Sequence, residues 1–322
     1  MMLPYSMKRG APFDVLVVGA GLSGLHAAAG AAERGAQVLL VDDRENMGGW
    51  LAVQTQALPV GEVPEPLMPA CYLARSLAHR AMEAGVQLAL NTTVWHLEAG
   101  MRAVLATGRT SQSLVTPQVI LATGALEQPM PFPGWTLPGV MLASAAQTLI
   151  VRDRIRPGNR ALIVGASDQG LLAALDLKMA GVDVVAVVDA AGDSVASKEI
   201  LSTAQEARID VRNGWTIRNA TGHRRIESVE ISLGAEGSPL PLEVDLVCLA
   251  DGLAPATELA QIAGVKMRWD VERNTWFPEV TRSFETSVPA LYCVGAARGT
   301  LNFAEAITEG LTAGHEAASR KR

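Results

Sequence analysis

Val15-Leu16-Val17-Val18-Gly19-Ala20-Gly21-Leu22-Ser23-Gly24 is an apolar run that breaks into three glycines, and together with the residues after it this stretch decides the fold. Small residues come next (Ala27, Ala28, Ala29, Gly30, Ala31, Ala32), then an Arg34-Gly35 turn and a second apolar run, Val38-Leu39-Leu40-Val41, ending at Asp42. Each glycine meets a separate steric demand of a strand-turn-helix unit that holds a pyrophosphate. Gly19 allows the tight turn, Gly21 lets backbone approach the phosphates, and Gly24 lets the helix pack on the strand. The helix begins with free N–H groups and the positive end of its dipole, so negative charge is bound without a lysine. Asp42 lies 42 − 19 = 23 residues past the first glycine, near the spacing of about 20 at which an acid accepts a ribose hydroxyl. The same carboxylate would repel a 2′-phosphate. Strand, glycines, helix, second strand and acid in register predict an adenine-dinucleotide-binding unit.

Composition narrows the remaining classes. The chain has 322 residues, 27 lysines and arginines against 33 acids, and a net charge of −6. That length suits two domains, and no basic cluster offers a nucleic-acid groove. Cys71, Cys248 and Cys293 are far apart, without a CxxC or a nearby histidine, so they read as buried apolar residues rather than metal or redox groups. Lys8 and Arg9 before an apolar stretch sketch a secretory signal, but serine and glycines interrupt it and the Asp42 register contradicts it. No segment approaches the roughly 18 uninterrupted apolar residues of a membrane span. The expectation is a cytoplasmic chain, with any membrane association peripheral and through partners.

A loop with Pro59, Pro64, Pro66 and Pro69 precedes a helical pattern from about Tyr72 to Ala84, two strands over 86–90 and 93–97, and a small meander over 102–116. Val119 to Ala122 is a buried strand running into Thr123-Gly124, and Pro129, Pro131, Pro133 and Gly134 then mark a place where the chain can cross to another domain. Ala161-Leu162-Ile163-Val164-Gly165 opens a second βαβ pattern, with a helix from about Gln169 to Ala180 and a strand ending at Asp189. The interval 189 − 165 = 24 nearly repeats the first unit. Its chemistry differs, because Ser167 replaces the second glycine and Asp168 brings negative charge towards the phosphate position. Strand 244–250, strand 291–294 and a helix from about Asn302 to Ala318 complete the pattern. The fold class expected is α/β with two Rossmann-like dinucleotide-binding domains, the second inserted in the first. The first would occupy 1–150 plus 253–322 and the second 151–252.

The three segments Gly19 to Gly24, Leu121 to Ala125 and the strand to Gly295 resemble the two-dinucleotide-domain flavoprotein oxidoreductases, with thioredoxin reductase the size match. A narrower resemblance is to the α-type subunits of heteromeric sarcosine oxidase, opine oxidase, amino-acid dehydrogenase and hydrogen cyanide synthase. It is carried by Met47-Gly48-Gly49-Trp50, by Ala122 to Pro129 with Phe132 to Met141, by Ser167-Asp168 with Asp176-Leu177 and Ala180 to Val182, and by Gly295 to Gly299. That resemblance implies a redox subunit beside a second flavoprotein subunit of glycine/sarcosine-oxidase type, with a small iron–sulfur subunit as a further partner. FMN or iron–sulfur groups would lie only at or in partners. It also implies FAD in the first domain, with NAD or another adenine nucleotide as the alternative, because Ala296 stands where related reductases place a flavin-binding aspartate.

The cofactor-binding residues expected are Gly19, Gly21, Leu22, Ser23, Gly24, Asp42, Asp43, Arg44, Gly49, Trp50, Val94, Ala122, Thr123, Gly124, Gly295 and Ala296. None of His26, His79, His96, His223 and His315 has a recognisable catalytic partner arrangement, so no catalytic residue is nominated. Trp50 and Trp135 read as candidates for stacking on a flavin, anchoring a partner or filling a core, and Glu127 as a solvated acid. Two other functions stay open at this point: a stand-alone NADH-dependent FAD oxidoreductase, and a non-catalytic nucleotide-binding scaffold.

Overall fold

The computed structural model describes residues 13–55, 57–58, 68–98, 100–193, 196–271 and 273–320. Lys8, Arg9, Pro59, Pro64 and Pro66 lie outside them. Strand β1 (Val15–Val18) leads into helix α1 (Leu22–Glu33), and β2 (Val38–Val41) lies parallel to β1 in direct register. Helix α2 (Ala70–Glu83) starts two residues before the helical pattern read from the sequence, directly after Pro69, its N-cap. Strand β3 (Gln87–Ala89) follows, then the antiparallel meander β4 (Thr92–Glu98), β5 (Arg102–Thr107) and β6 (Thr110–Val115), then β7 (Gln118–Leu121).

The next stretch holds β8 (Val140–Leu142), α3 (Ala143–Val151), β9 (Arg160–Val164), α4 (Asp168–Met179), β10 (Asp183–Asp189), α5 (Lys198–Glu206) and β11 (Val211–Asn213). A second meander, β12 (Trp215–Thr221), β13 (Ser228–Leu233) and β14 (Leu240–Glu243), precedes β15 (Leu246–Leu249). The chain ends with α6 (Glu258–Ile262), the hairpin β16 (Met267–Asp270) and β17 (Thr275–Pro278), then β18 (Leu291–Cys293) and α7 (Phe303–Ser319).

Contacts divide the described residues into two compact units. Residues up to Ala52, Leu58–Leu126 and Ala254 onward form one, and Val53–Ala57 with Glu127–Leu253 form the other. The division falls at Glu127 rather than 151, because Val140–Leu142 pairs in parallel with Leu246–Leu249 and so belongs to the second sheet. The first unit has a five-stranded sheet in the order β18-β7-β1-β2-β3, and the second a five-stranded sheet in the order β8-β15-β9-β10-β11. The pairs in both are parallel. Their aliphatic strands are buried on both faces, which is why β1, β2 and β15, and β7 after Gln118, read as unbroken apolar runs.

Successive strand residues serve opposite faces. Leu16, Val18, Leu39 and Val119 pack with Val94, Leu97 and Leu105 of the first meander, while Val15, Val17, Val38 and Ile120 pack under α1 and α7. The seam between those two helices is made of missing side chains. A Cβ on Gly310 or Gly314 would come closer to the carbonyl oxygens of Ser23 and Ala27 than side chains tolerate, and Ala313 and Ala317 are fully buried beside them. His26 belongs to this seam, its Nδ1 2.9 Å from the Leu22 carbonyl oxygen, and burial lowers its pKa. His315 covers Gly30. These two histidines are packing groups.

A bulky side chain in the seam forces the helices apart, and overpacking of this kind costs about 1–3 kcal/mol or more. Gly310→Leu is expected to destabilise the chain by at least that amount in urea unfolding, whereas Thr308→Leu on the exposed face of α7 is expected to change it by less than about 0.5 kcal/mol.

Candidate functional site

The turn between β1 and α1 is a backbone cradle. Gly19 sits at φ +105°, and a Cβ there would strike the Ala122 carbonyl, so the end of β7 lies directly beneath the turn. Gly24 packs against the Gly19 carbonyl. Gly21 is the N-cap of α1 and has open space where a Cβ would be. No side chain caps α1 and its first turn carries no acid, so the N–H groups that a helix cannot satisfy internally are left for a ligand.

Asp42 closes the cradle from the end of β2. Its two oxygens accept the Ala20 N–H at 2.6 Å and the Arg44 N–H at 2.8 Å. Burial pushes its pKa up, against the pull of those two donors. The acid read as a ribose acceptor therefore also staples the turn, which leaves fewer of its lone pairs for a sugar. Asp43 and Arg44 are exposed beside it. The Gly48 N–H donates to the Ala20 carbonyl at 2.7 Å, and a Cβ on Gly49 would lie 3.0 Å from the Gly21 Cα. Gly49 thus lets this loop close against the cradle, and half-buried Trp50 continues it in a short 3₁₀ turn, Gly49–Val53.

The returning C-terminal segment supplies another wall. A Cβ on Gly295 would collide with the Ser23 hydroxyl, so strand end and helix start touch there. The Gly295 N–H donates to Glu309 at 2.7 Å, the Thr300 hydroxyl donates to it at 2.6 Å, and Arg298 forms an ion pair with it. Glu309, only 4% exposed, thereby fixes the 3₁₀ turn Gly295–Arg298 that carries Ala296. Sequence reading missed this residue. Its one trace is an acid among Ala306, Gly310, Ala313 and Gly314 on the small-residue face of α7. The α7 N-terminus is already capped, since Asn302 accepts the Glu305 N–H at 3.0 Å.

Thr123 and Gly124 are held to the returning chain through Ala256, whose carbonyl accepts the Thr123 hydroxyl at 2.7 Å and whose N–H donates to the Gly124 carbonyl at 3.0 Å. Leu22 and Ser23 form the first turn of α1. The contacts therefore bring Gly19 to Gly24, Asp42, Gly49, Ala122 and Gly295 together. Val94 differs, because its side chain is buried in the core of the first meander. Glu127 also departs from expectation. It is not simply solvated: its carboxylate accepts the Ser144 N–H at 3.0 Å and further hydrogen bonds from the Ser144 hydroxyl and the Gln169 amide.

Cys248 and Cys293 are buried and Cys71 half-buried, and burial pushes both buried thiols up to about 12. Neither is a reactive thiolate. Among the described residues no His/Cys/Asp/Glu group could hold a metal ion, and no helix is long and apolar enough to cross a membrane.

The family described as pyridine nucleotide-disulphide oxidoreductase matches residues 13–316. The chain belongs to that family. It is an oxidoreductase of the two-dinucleotide-domain type, and the family binds FAD and NAD(P). Among curated relatives, the A subunit of opine oxidase from Rhizobium meliloti (strain 1021) is 28% identical over 92% of this chain and 69% of its own length. The corresponding opine oxidase polypeptide of Agrobacterium tumefaciens (strain Ach5) is also 28% identical, over 89% of this chain and 61% of its own length. The alpha subunit of sarcosine oxidase from the same Rhizobium strain is 31% identical over 94% of this chain but only 30% of its own length. The chain thus spans between about a third and two thirds of these relatives. Thioredoxin reductase of T. acidophilum shares the fold, with a TM-score of 0.80, 21% identity, and 96% and 99% of the two chains covered.

The cradle generates two expected outcomes. Gly21→Asp puts a favoured N-cap residue on α1, and its Cβ meets no neighbour, so the variant should retain no dinucleotide on purification yet melt at or above the temperature of the nucleotide-stripped wild-type chain. Glu309→Ala removes three hydrogen bonds, the Arg298 ion pair among them. It should lower stability by about 3–5 kcal/mol in chemical denaturation, and a loss below about 1 kcal/mol would contradict the anchoring role.

Proposed function

We propose that this chain is the nucleotide-binding redox subunit of a heteromeric FAD-dependent oxidase or dehydrogenase acting on the CH–NH group of an amino or imino acid, of sarcosine, proline, opine or glycine type. The observation that carries the reading is the open cradle at Gly21: an uncapped, acid-free helix start walled by Ala122, Gly49 and Gly295. It is supported by relatives named as subunits of opine and sarcosine oxidases.

The residues fit an adenine dinucleotide. Backbone N–H groups from Gly21 to Gly24 hold the pyrophosphate over the turn at Gly19, Asp42 accepts from the ribose, and Gly49, Trp50, Ala122, Thr123, Gly124, Gly295 and Ala296 line the remainder. Bound FAD would accept electrons in pairs and pass them on. No side chain of this chain is assigned to catalysis. Amine oxidation falls to a partner flavoprotein subunit of glycine/sarcosine-oxidase type, with a small iron–sulfur subunit as a further partner.

Ala296 favours a second reading of the same site. Its methyl group accepts no hydrogen bond, and an unmet buried hydroxyl costs about 1–3 kcal/mol. NAD, which lacks the flavin's ribityl chain, escapes that penalty.

The experiment is purification with copurifying chains, a visible spectrum, and mass spectrometry of released nucleotide. FAD together with a second flavoprotein is the expected result. A colourless single chain holding NAD would transfer the reading to a nucleotide-binding scaffold, and a single yellow chain bleached by NADH would replace it with a stand-alone reductase.

A further inference from the structure

The second unit repeats the first cradle bond for bond. Gly165 sits at φ +108° as Gly19 does at +105°. Its N–H donates to the Val188 carbonyl at 2.8 Å, matching Gly19 to Val41 at 2.8 Å. Asp189 accepts from Ala166 at 2.7 Å and from Ala191 at 2.8 Å, as Asp42 does from Ala20 and Arg44. The Ala250 N–H donates to Val164 as Ala122 does to Val18, and Gly170 packs on the Gly165 carbonyl as Gly24 does on that of Gly19. The backbones correspond, so differences in ligand chemistry lie in the side chains.

Those differences all oppose a pyrophosphate. In place of bare Gly21 stands Ser167, whose hydroxyl caps the Gly170 N–H at 3.5 Å and lies 3.4 Å from the Ala250 carbonyl. In place of Leu22 stands Asp168, an acid in the first turn of α4, its carboxylate held by the Ser197 N–H at 2.6 Å. In place of Thr123 stands Asp251, a solvent-exposed acid. Glu127 caps the start of α3 through Ser144 and reaches α4 through Gln169. The neighbouring helix N-termini therefore face the chain's own oxygens, and the crevice carries negative charge where a dinucleotide would bring more.

We infer that the second unit is closed to dinucleotides, its phosphate cradle filled by Ser167 and Asp168 and screened by Glu127 and Asp251, so that NAD(P)H delivers no electrons through it. This deepens the proposed function by leaving a partner as the source of electrons, but it rests on the second unit's residues alone.

Titration of the purified full chain, first site filled as isolated, with NADH, NADPH and ADP-ribose tests it. No saturable binding up to about 1 mM is expected, which places any affinity weaker than about −4 kcal/mol. Gly21→Asp should bind none of the three. A second equivalent on the wild-type chain, or one equivalent of NADH on Gly21→Asp, would overturn the inference. The triple variant Ser167→Gly, Asp168→Leu, Asp251→Thr, which gives the second cradle the residues of the first, should gain at least tenfold in ADP-ribose affinity. If it folds and gains nothing, the side-chain account is wrong. A wild-type chain isolated without any nucleotide would refute the proposed function while leaving this inference to the titration.

Discussion

An α-helix cannot satisfy the N–H groups of its own first turn, and the groups this chain sets against them govern both units. At α1 it sets nothing. The three glycines bring backbone to backbone, Gly21 leaves space, and the first turn has no acid. At α4 the same backbone turn is met by a serine hydroxyl and an aspartate. Two cradles of one geometry thus acquire opposite chemistry, one open to an anion and one supplied with the chain's own.

The open cradle is held by connections that return from far along the chain. Strand β18 pairs with β7, and α7 packs on α1 through a seam of glycine and alanine. Glu309 then ties the turn at Gly295 to α7. A buried carboxylate is tolerated there because three donors surround it. Losing any one leaves charge in a poorly solvated place, which makes the anchor specific as well as strong. The same packing explains why two histidines in these helices, despite their proton chemistry, serve as filling for the seam.

Much of the layout was legible along the chain. The glycine spacing and the acids at the strand ends marked both βαβ units, and the periodicity placed α4 and α7 within one or two residues. The division between units was less legible. Val140-Met141-Leu142 is a three-residue strand whose membership is decided by pairing with β15, about a hundred residues later, and local pattern holds no trace of that choice. Glu127 was misjudged for the same reason, since its hydrogen-bond partners lie on two helices that come after it.

The sequence by itself determined the class of fold and the family, and marked the turn at which a dinucleotide was expected, because tight turns and close backbone approach demand glycine at spacings that are visible in one dimension. Only the tertiary structure decided that Asp42 staples the turn it was expected to serve, that Glu309 anchors the cradle, and that Glu127, Asp168 and Asp251 come to the second unit's turn region from three segments. Those outcomes depend on which distant groups share a small volume, and burial there turns a hydrogen bond or a charge into a structural constraint.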